Sequence, residues 1–302
     1  MIPDMKNEDK AKYQLILSML IFGTIGIFRR YIPLPSGYLS FCRGLIGALF
    51  LILVIAVRKK PIDCKAIKKN LVFLCLSGVF IGFNWIFLFE SYTYTSVATA
   101  TLCYYMAPVF VVIASPFLLK EKLTLKKAVC VFVAIIGIIL VSGVLSVEID
   151  ASQIKGILFG LSAAVLYASV TILNKKIKNI DAYDKTTIQL LAAATVILPY
   201  ALLCETVTAD MLSVKTVILV LIVGMFHTGM TYALYFGTMD NIKAQTVALF
   251  SYIDPVTAII LSAVILKERL SVYEMIGAVL ILAAAAVSEN VISFRKKKKT
   301  DG

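Results

Sequence analysis

Charged residues cut the chain into ten apolar blocks of about twenty residues: 13–31, 36–57, 70–90, 96–118, 126–146, 155–173, 186–204, 215–236, 244–266 and 271–292. About twenty apolar residues is the length at which an α-helix crosses the hydrocarbon core of a bilayer. The blocks lack the two-residue alternation of a membrane barrel, and an open sheet in lipid would leave backbone groups unpaired. The pattern predicts an all-α integral membrane protein whose ten transmembrane helices are these blocks, referred to below as spans one to ten. Composition agrees, since 60% of the 302 residues are hydrophobic and 16% charged, with a mean hydropathy of +0.91. Soluble domains are nearer half apolar and one quarter charged. Connections are too short for a sizeable soluble domain. Span one is the shortest between charges, with about 16 residues from Lys12 to Arg29, and needs both side chains to snorkel toward the interfaces. The first dozen residues mix Asp, Glu and Lys, and no small-residue cleavage site follows, so a removable signal peptide is not expected.

The net charge of +12 is read as topology rather than as nucleic-acid binding. With the N-terminus placed in the cytoplasm, 23 Lys and Arg fall on the cytoplasmic side and 6 on the outer side. That asymmetry predicts both termini inside a multi-pass protein of the cell membrane. The six cysteines are scattered without a CxxC pair, so neither a disulfide framework nor a metal site is expected, and no cofactor is implied.

The chain also repeats itself at an offset of 147 residues. Residues 89–123 align without a gap on 236–270, with 12 of 35 positions identical, including Tyr105/Tyr252, Pro108/Pro255 and the LKEKL/LKERL ends. Two five-span repeats, 1–146 and 155–292, are then followed by a basic tail, 293–302. Five is odd, so the second copy enters the membrane upside down, as in secondary transporters whose halves enclose a midplane site. On the outer side Glu268 and Glu274 partly offset Lys267 and Arg269.

The two copies of the pattern from Tyr94 to Thr124 and from Ile242 to Ser271, with Phe22-Gly23 and Tyr167-Ala168 in the opening spans of the halves, resemble the drug/metabolite transporter superfamily, specifically its EamA-type ten-helix permeases. The resemblance covers nearly the whole chain and says little about substrate. It implies a basket of helices around a central cavity lined by spans one, three, four, six, eight and nine, with spans five and ten peripheral. Members carry amino acids, metabolites, nucleotide-like compounds or drugs.

Polar residues inside spans need a partner or a water-filled cavity, which makes them the candidate site. Asp254 precedes Pro255 in span nine, where its repeat partner is Ala107, so the carboxylate breaks the symmetry. It suits a substrate ammonium or a proton, against the alternative of a hydrogen-bonded structural carboxyl. Pro108 and Pro255 are expected to bend their helices. His227 is the only histidine, with Thr231 one turn on, and their repeat partners are Phe80 and Asn84. A lone His in a span is more often a packing residue than a ligand. Trp85, the only tryptophan, sits mid-span beside Asn84 and offers a face for cation–π contact, or simple packing. Tyr104, Tyr105, Tyr232 and Tyr252 add hydroxyls, with Tyr105 and Tyr252 expected to line or gate a cavity. Arg43, about seven residues into span two, is expected in an outer-leaflet ion pair that fixes helix position, with Glu90 at the outer end of span three as a partner; a substrate carboxylate is the alternative. Gly78/Gly82 and Gly156/Gly160 are small-residue spacings for close helix packing.

No GxxxxGK[ST], GxSxG or HExxH sequence occurs, which argues against ATP hydrolysis and membrane-enzyme chemistry. The expectation is a secondary transporter, by default an exporter, of a small metabolite such as an amino acid. An organic cation or drug is the runner-up. Proton coupling would run through Asp254; the partners are the substrate, membrane lipid and, at most, a second copy of the chain.

Overall fold

A computed structural model describes residues 5–59, 61–94, 100, 103–142, 151–265 and 272–288. The start of span four, the LKERL segment with Glu268, and the tail 293–302 lie outside the described residues, as does the Glu274 side chain. Among the described residues the protein is all helix. Six helices are long and apolar enough to cross a membrane: Asn7–Arg29, Ser36–Val57, Cys64–Tyr94, Gln153–Lys176, Ala182–Cys204 and Val214–Thr238, corresponding to spans one, two, three, six, seven and eight. Ala107–Leu118, Leu125–Ser142, the pair Ala244–Phe250 and Ile253–Ile265, and Val272–Ser288 supply spans four, five, nine and ten. All six cysteines are free thiols.

The packing relates the two halves to each other. Span three lies against span six and span one against span eight; span four meets span six and span nine meets span one. Spans two and three also pack on seven, as seven's counterpart two packs on eight and seven. Spans two and seven, four and nine, and five and ten form self-matched pairs. Advancing the labels of these principal pairs by five spans returns the same pairs, as a pseudo-two-fold relation between the halves requires. Spans five and ten pack on each other at the periphery.

Between lipid-facing helices no hydrophobic driving force remains, so close approach is supplied by small residues. A methyl group added at Gly78 would lie 2.4 Å from the Gln189 carbonyl oxygen, which sets the spacing of spans three and seven. At Gly47 it would lie 3.0 Å from both the Gly224 carbonyl and the Gly229 nitrogen, seating span two on span eight. Beneath that contact span eight widens into a π-helix, Val223–Met230, in which the Thr228 and Thr231 hydroxyls also donate to carbonyls five residues back, those of Val223 (3.0 Å) and Phe226 (2.7 Å). Widened turns of this kind recur at functional sites.

At the end expected to be cytoplasmic, two helices and the loop after span four grip the hairpin between spans eight and nine. Lys185, 1% exposed, donates to the Phe236 carbonyl at 2.8 Å, and Lys175 donates to the carbonyls of Met239 and Ile242. Cations suit the C-terminal end of a helix, where carbonyls go unpaired. Glu121 of the LKEKL motif accepts from the backbone N–H groups of Ala244 (2.8 Å) and Gln245 (3.3 Å), the complementary arrangement at a helix N-terminus. At the opposite end Glu205 accepts from Gly37 and Tyr38 (2.8 and 2.9 Å), joining the end of span seven to the start of span two.

Candidate functional site

A proline cannot donate to the carbonyl four residues back, and its ring crowds that turn. Spans four and nine both break just ahead of their prolines: a turn occupies Tyr105–Met106 before a helix restarts at Ala107, and another occupies Ser251–Tyr252 before one restarts at Ile253. The breaks face each other across the pseudo-two-fold. Between them lies a cavity of ≈ 30 Å³, lined by Met19 of span one, Tyr104, Tyr105, Ala107 and Pro108 of span four, Tyr167 of span six, and Ser251 and Asp254 of span nine. That is room for about one water. Tyr104/Ser251 and Ala107/Asp254 are repeat-equivalent pairs, so the halves contribute matching positions with different chemistry.

Asp254 sits in the first turn of the restarted helix, where the helix dipole favours a carboxylate. It is half-buried and lines the cavity, and the Tyr105 hydroxyl lies against its carboxyl group. Tyr104 packs 5.8 Å from both Tyr105 and Tyr167, and the Tyr167 hydroxyl donates to that of Tyr235 at 3.0 Å. The walls of the cavity are therefore aromatic rings with hydroxyl rims around a single carboxylate.

One layer out lie Asn84 and Trp85. Asn84 is buried, donates to the Ala163 carbonyl at 2.7 Å, and stands beside the Tyr104 hydroxyl. Trp85 meets Tyr232 edge-on at 6.1 Å, and the Arg43 guanidinium lies 4.4 Å from the centre of the Trp85 ring. Arg43 is 9% exposed, and its Nε donates to the Thr228 hydroxyl at 3.0 Å. The ion pair expected for Arg43 is absent among the described residues. Glu90 instead accepts from the Tyr200 hydroxyl at 2.6 Å, while Thr228 and Trp85 hold the guanidinium inward.

His227 stands apart from the cavity. The His227 Nε2 lies 2.6 Å from the Thr24 hydroxyl, which also contacts the Ile21 carbonyl at 2.7 Å. The ring meets Phe28 edge-on and borders an apolar groove of ≈ 550 Å³ between spans one, eight and nine. Thr231 is turned to its own backbone. Tyr252 is 1% exposed and packs with Val109, Val112 and Ile281 rather than lining the cavity. The reason is register: the turn in span nine falls four and three residues before the proline, that in span four three and two. The shift turns Ser251 inward where Tyr252 was expected. Sequence reasoning also passed over Tyr167, although its hydroxyl in an opening span was a signal. Ser251 was legible as the repeat partner of Tyr104. Met19 carried no signal.

The EamA-like transporter family model matches residues 11–143 and again 154–289. The chain is 32% identical over 284 residues to the uncharacterized transporter YxxF of Bacillus subtilis (strain 168), covering 94% of this chain and 90% of that protein. It is 25% identical over 275 residues to an uncharacterized transporter of Archaeoglobus fulgidus, covering 91% and 94%. A solved crystal structure superposes with a TM-score of 0.82 at 18% identity, covering 94% of this chain and 99% of that one, which shows a shared fold. With the family model spanning both halves, the chain belongs to the EamA-like transporters, multi-pass membrane proteins of the drug/metabolite transporter superfamily.

Proposed function

We propose that the chain is a secondary transporter of a small amine-bearing metabolite, an amino acid by preference, which it exports across the cell membrane by alternating access. The observation that carries this reading is the single carboxylate, Asp254, bordering an aromatic cavity at the facing breaks of spans four and nine. Discontinuous helices meeting at a repeat interface are the usual setting of transporter binding sites. The contacts that return on exchanging the halves support an inverted pair, and the 23-to-6 distribution of Lys and Arg supports cytoplasmic termini. In the conformation described, the clamps of Glu121, Lys175 and Lys185 hold the cytoplasmic end of the hairpin between spans eight and nine. Releasing them would open the site inward. Asp254 faces Tyr105 and Tyr104 from span four and Tyr232 from span eight, with no ion-pair partner among the described residues, so it can trade a proton for the substrate ammonium.

A second reading, an organic cation in place of the amino acid, is favoured by Trp85 and the tyrosines, whose ring faces attract cations. Counterflow in proteoliposomes with labelled amino acids and quaternary amines separates the two. Exchange of amino acids that Asp254→Asn abolishes or renders independent of pH supports the first reading. Exchange of cations alone supports the second, and unchanged transport with an unchanged pH response in Asp254→Asn overturns the role of the carboxylate in both.

A further inference from the structure

Arg43 lies about seven residues into span two, roughly 10 Å along the helix from Ser36. An arginine that deep is costly unless it is paired or faces a polar cavity. Among the described residues no carboxylate reaches it. Its position is nevertheless fixed on two sides: Nε donates to Thr228, whose own hydrogen is committed to the Val223 carbonyl, and the Cζ lies 4.4 Å from the centre of the Trp85 ring. The two Nη groups have no hydrogen-bond partner among the described residues, and neither is a fully enclosed unpartnered atom, so they border accessible space. What is left free is the end of the guanidinium fork that receives two carboxylate oxygens in parallel.

Tyr104 and Tyr232 stand within electrostatic range of both Arg43 and Asp254. A cationic pole and an anionic pole therefore flank one aromatic layer without neutralising each other. The repeat partner of Arg43 is Leu190 and that of Asp254 is Ala107, so each half contributes one pole and neither charge is duplicated.

We infer that Arg43, held by Thr228 and Trp85, is the anion subsite of the transport site, and that the substrate is an organic zwitterion with its carboxylate on Arg43 and its ammonium toward Asp254. This rests on the proposed transport role of Asp254 and narrows it: a simple amine or quaternary cation would leave Arg43 unpaired.

The test is ligand-induced thermal stabilisation of the purified full chain in detergent. The probes are the twenty common amino acids, each beside its amide and its decarboxylated amine. The expected result is that at least one amino acid stabilises the protein, that its amide and amine bind at least about tenfold more weakly, and that Arg43→Gln removes the difference by weakening only the amino acid. To separate loss of binding from loss of fold in Arg43→Gln, Arg43→Lys and Thr228→Val are measured beside it. Both should keep the fold and weaken amino acid binding selectively, the first by replacing the fork with a point charge and the second by freeing it to turn. Amines binding as well as amino acids, with Asp254→Asn abolishing both and the Arg43 and Thr228 variants changing neither, overturns the subsite and leaves the Asp254 reading standing. Amino acid binding lost in the Arg43 variants but intact in Asp254→Asn upholds the subsite and overturns the reading beneath it. A panel in which no amino acid binds overturns the zwitterion assignment.

Discussion

Spans four and nine are two copies of one design. Each breaks ahead of a proline, restarts as a helix and ends in a Leu-Lys-Glu motif. The backbone solution is shared, yet the residue in the first restarted turn is Ala107 in one and Asp254 in the other. Duplication supplied the architecture, a pair of breaks meeting on the pseudo-two-fold, while divergence at a few positions supplied the chemistry. The same division holds for spans two and seven, where Arg43 is matched by Leu190, and for spans three and eight, where Asn84 is matched by Thr231 and Phe80 by His227.

The sharpest way to break this comparison is to erase the difference between the two restarts. Asp254→Asn keeps the size of the side chain and removes its charge, and should lower counterflow by roughly 100-fold or more, the loss of about 3 kcal/mol expected when a buried charge partner is removed. Initial rates in proteoliposomes measure it. A second probe acts on the shared backbone. Gly78→Val forces a side chain into the 2.4 Å gap against Gln189 and should cost about 1–3 kcal/mol, read as a lowered melting temperature with no change in substrate preference among the surviving fraction. The clamp on the hairpin between spans eight and nine gives a smaller effect. Glu121→Gln weakens a charged cap by about 1 kcal/mol, so a cysteine placed at buried Ala244 in a background lacking the six native thiols should react several-fold faster with a soluble maleimide. The smallest effect is expected at the Ser77, Asn174 and Gln189 cluster between spans three, six and seven, where Asn174→Leu removes bonds of 3.1 Å to Ser77 and Gln189. Polar contacts in bundles of this kind are worth about 0.6 kcal/mol each, so the melting point should move by only a few degrees.

Much of the architecture is written in the sequence, because apolar block length and repeat offset are long-range signals that survive local detail. The prolines announced their breaks for the same reason: a missing donor acts wherever it stands. The site was less legible. Arg43, Asp254, Trp85 and Asn84 stood out as polar or singular residues in apolar surroundings, but their partners depend on helix rotation, which a span pattern leaves free. The π-helix in span eight turns His227 toward Thr24 and Thr228 toward Arg43, and a one-residue difference between the two breaks exchanges Tyr252 for Ser251. Lys185 shows the same limit from the other side. It reads as a solvated loop cation at the start of span seven, yet is buried against the Phe236 carbonyl, because the hairpin it holds comes from the other end of the second half.

The central claim is that positions 107 and 254 look into one binding site from opposite halves. Moving the carboxylate between them tests it most directly: binding of an amine-bearing ligand measured on Asp254→Ala and on Asp254→Ala combined with Ala107→Asp, both checked for monodisperse folding. Asp254→Ala alone should lose binding, and the double variant should recover amine binding to within about tenfold of the starting protein, since the new carboxylate faces the same cavity. A folded double variant that binds no better than Asp254→Ala would contradict the account.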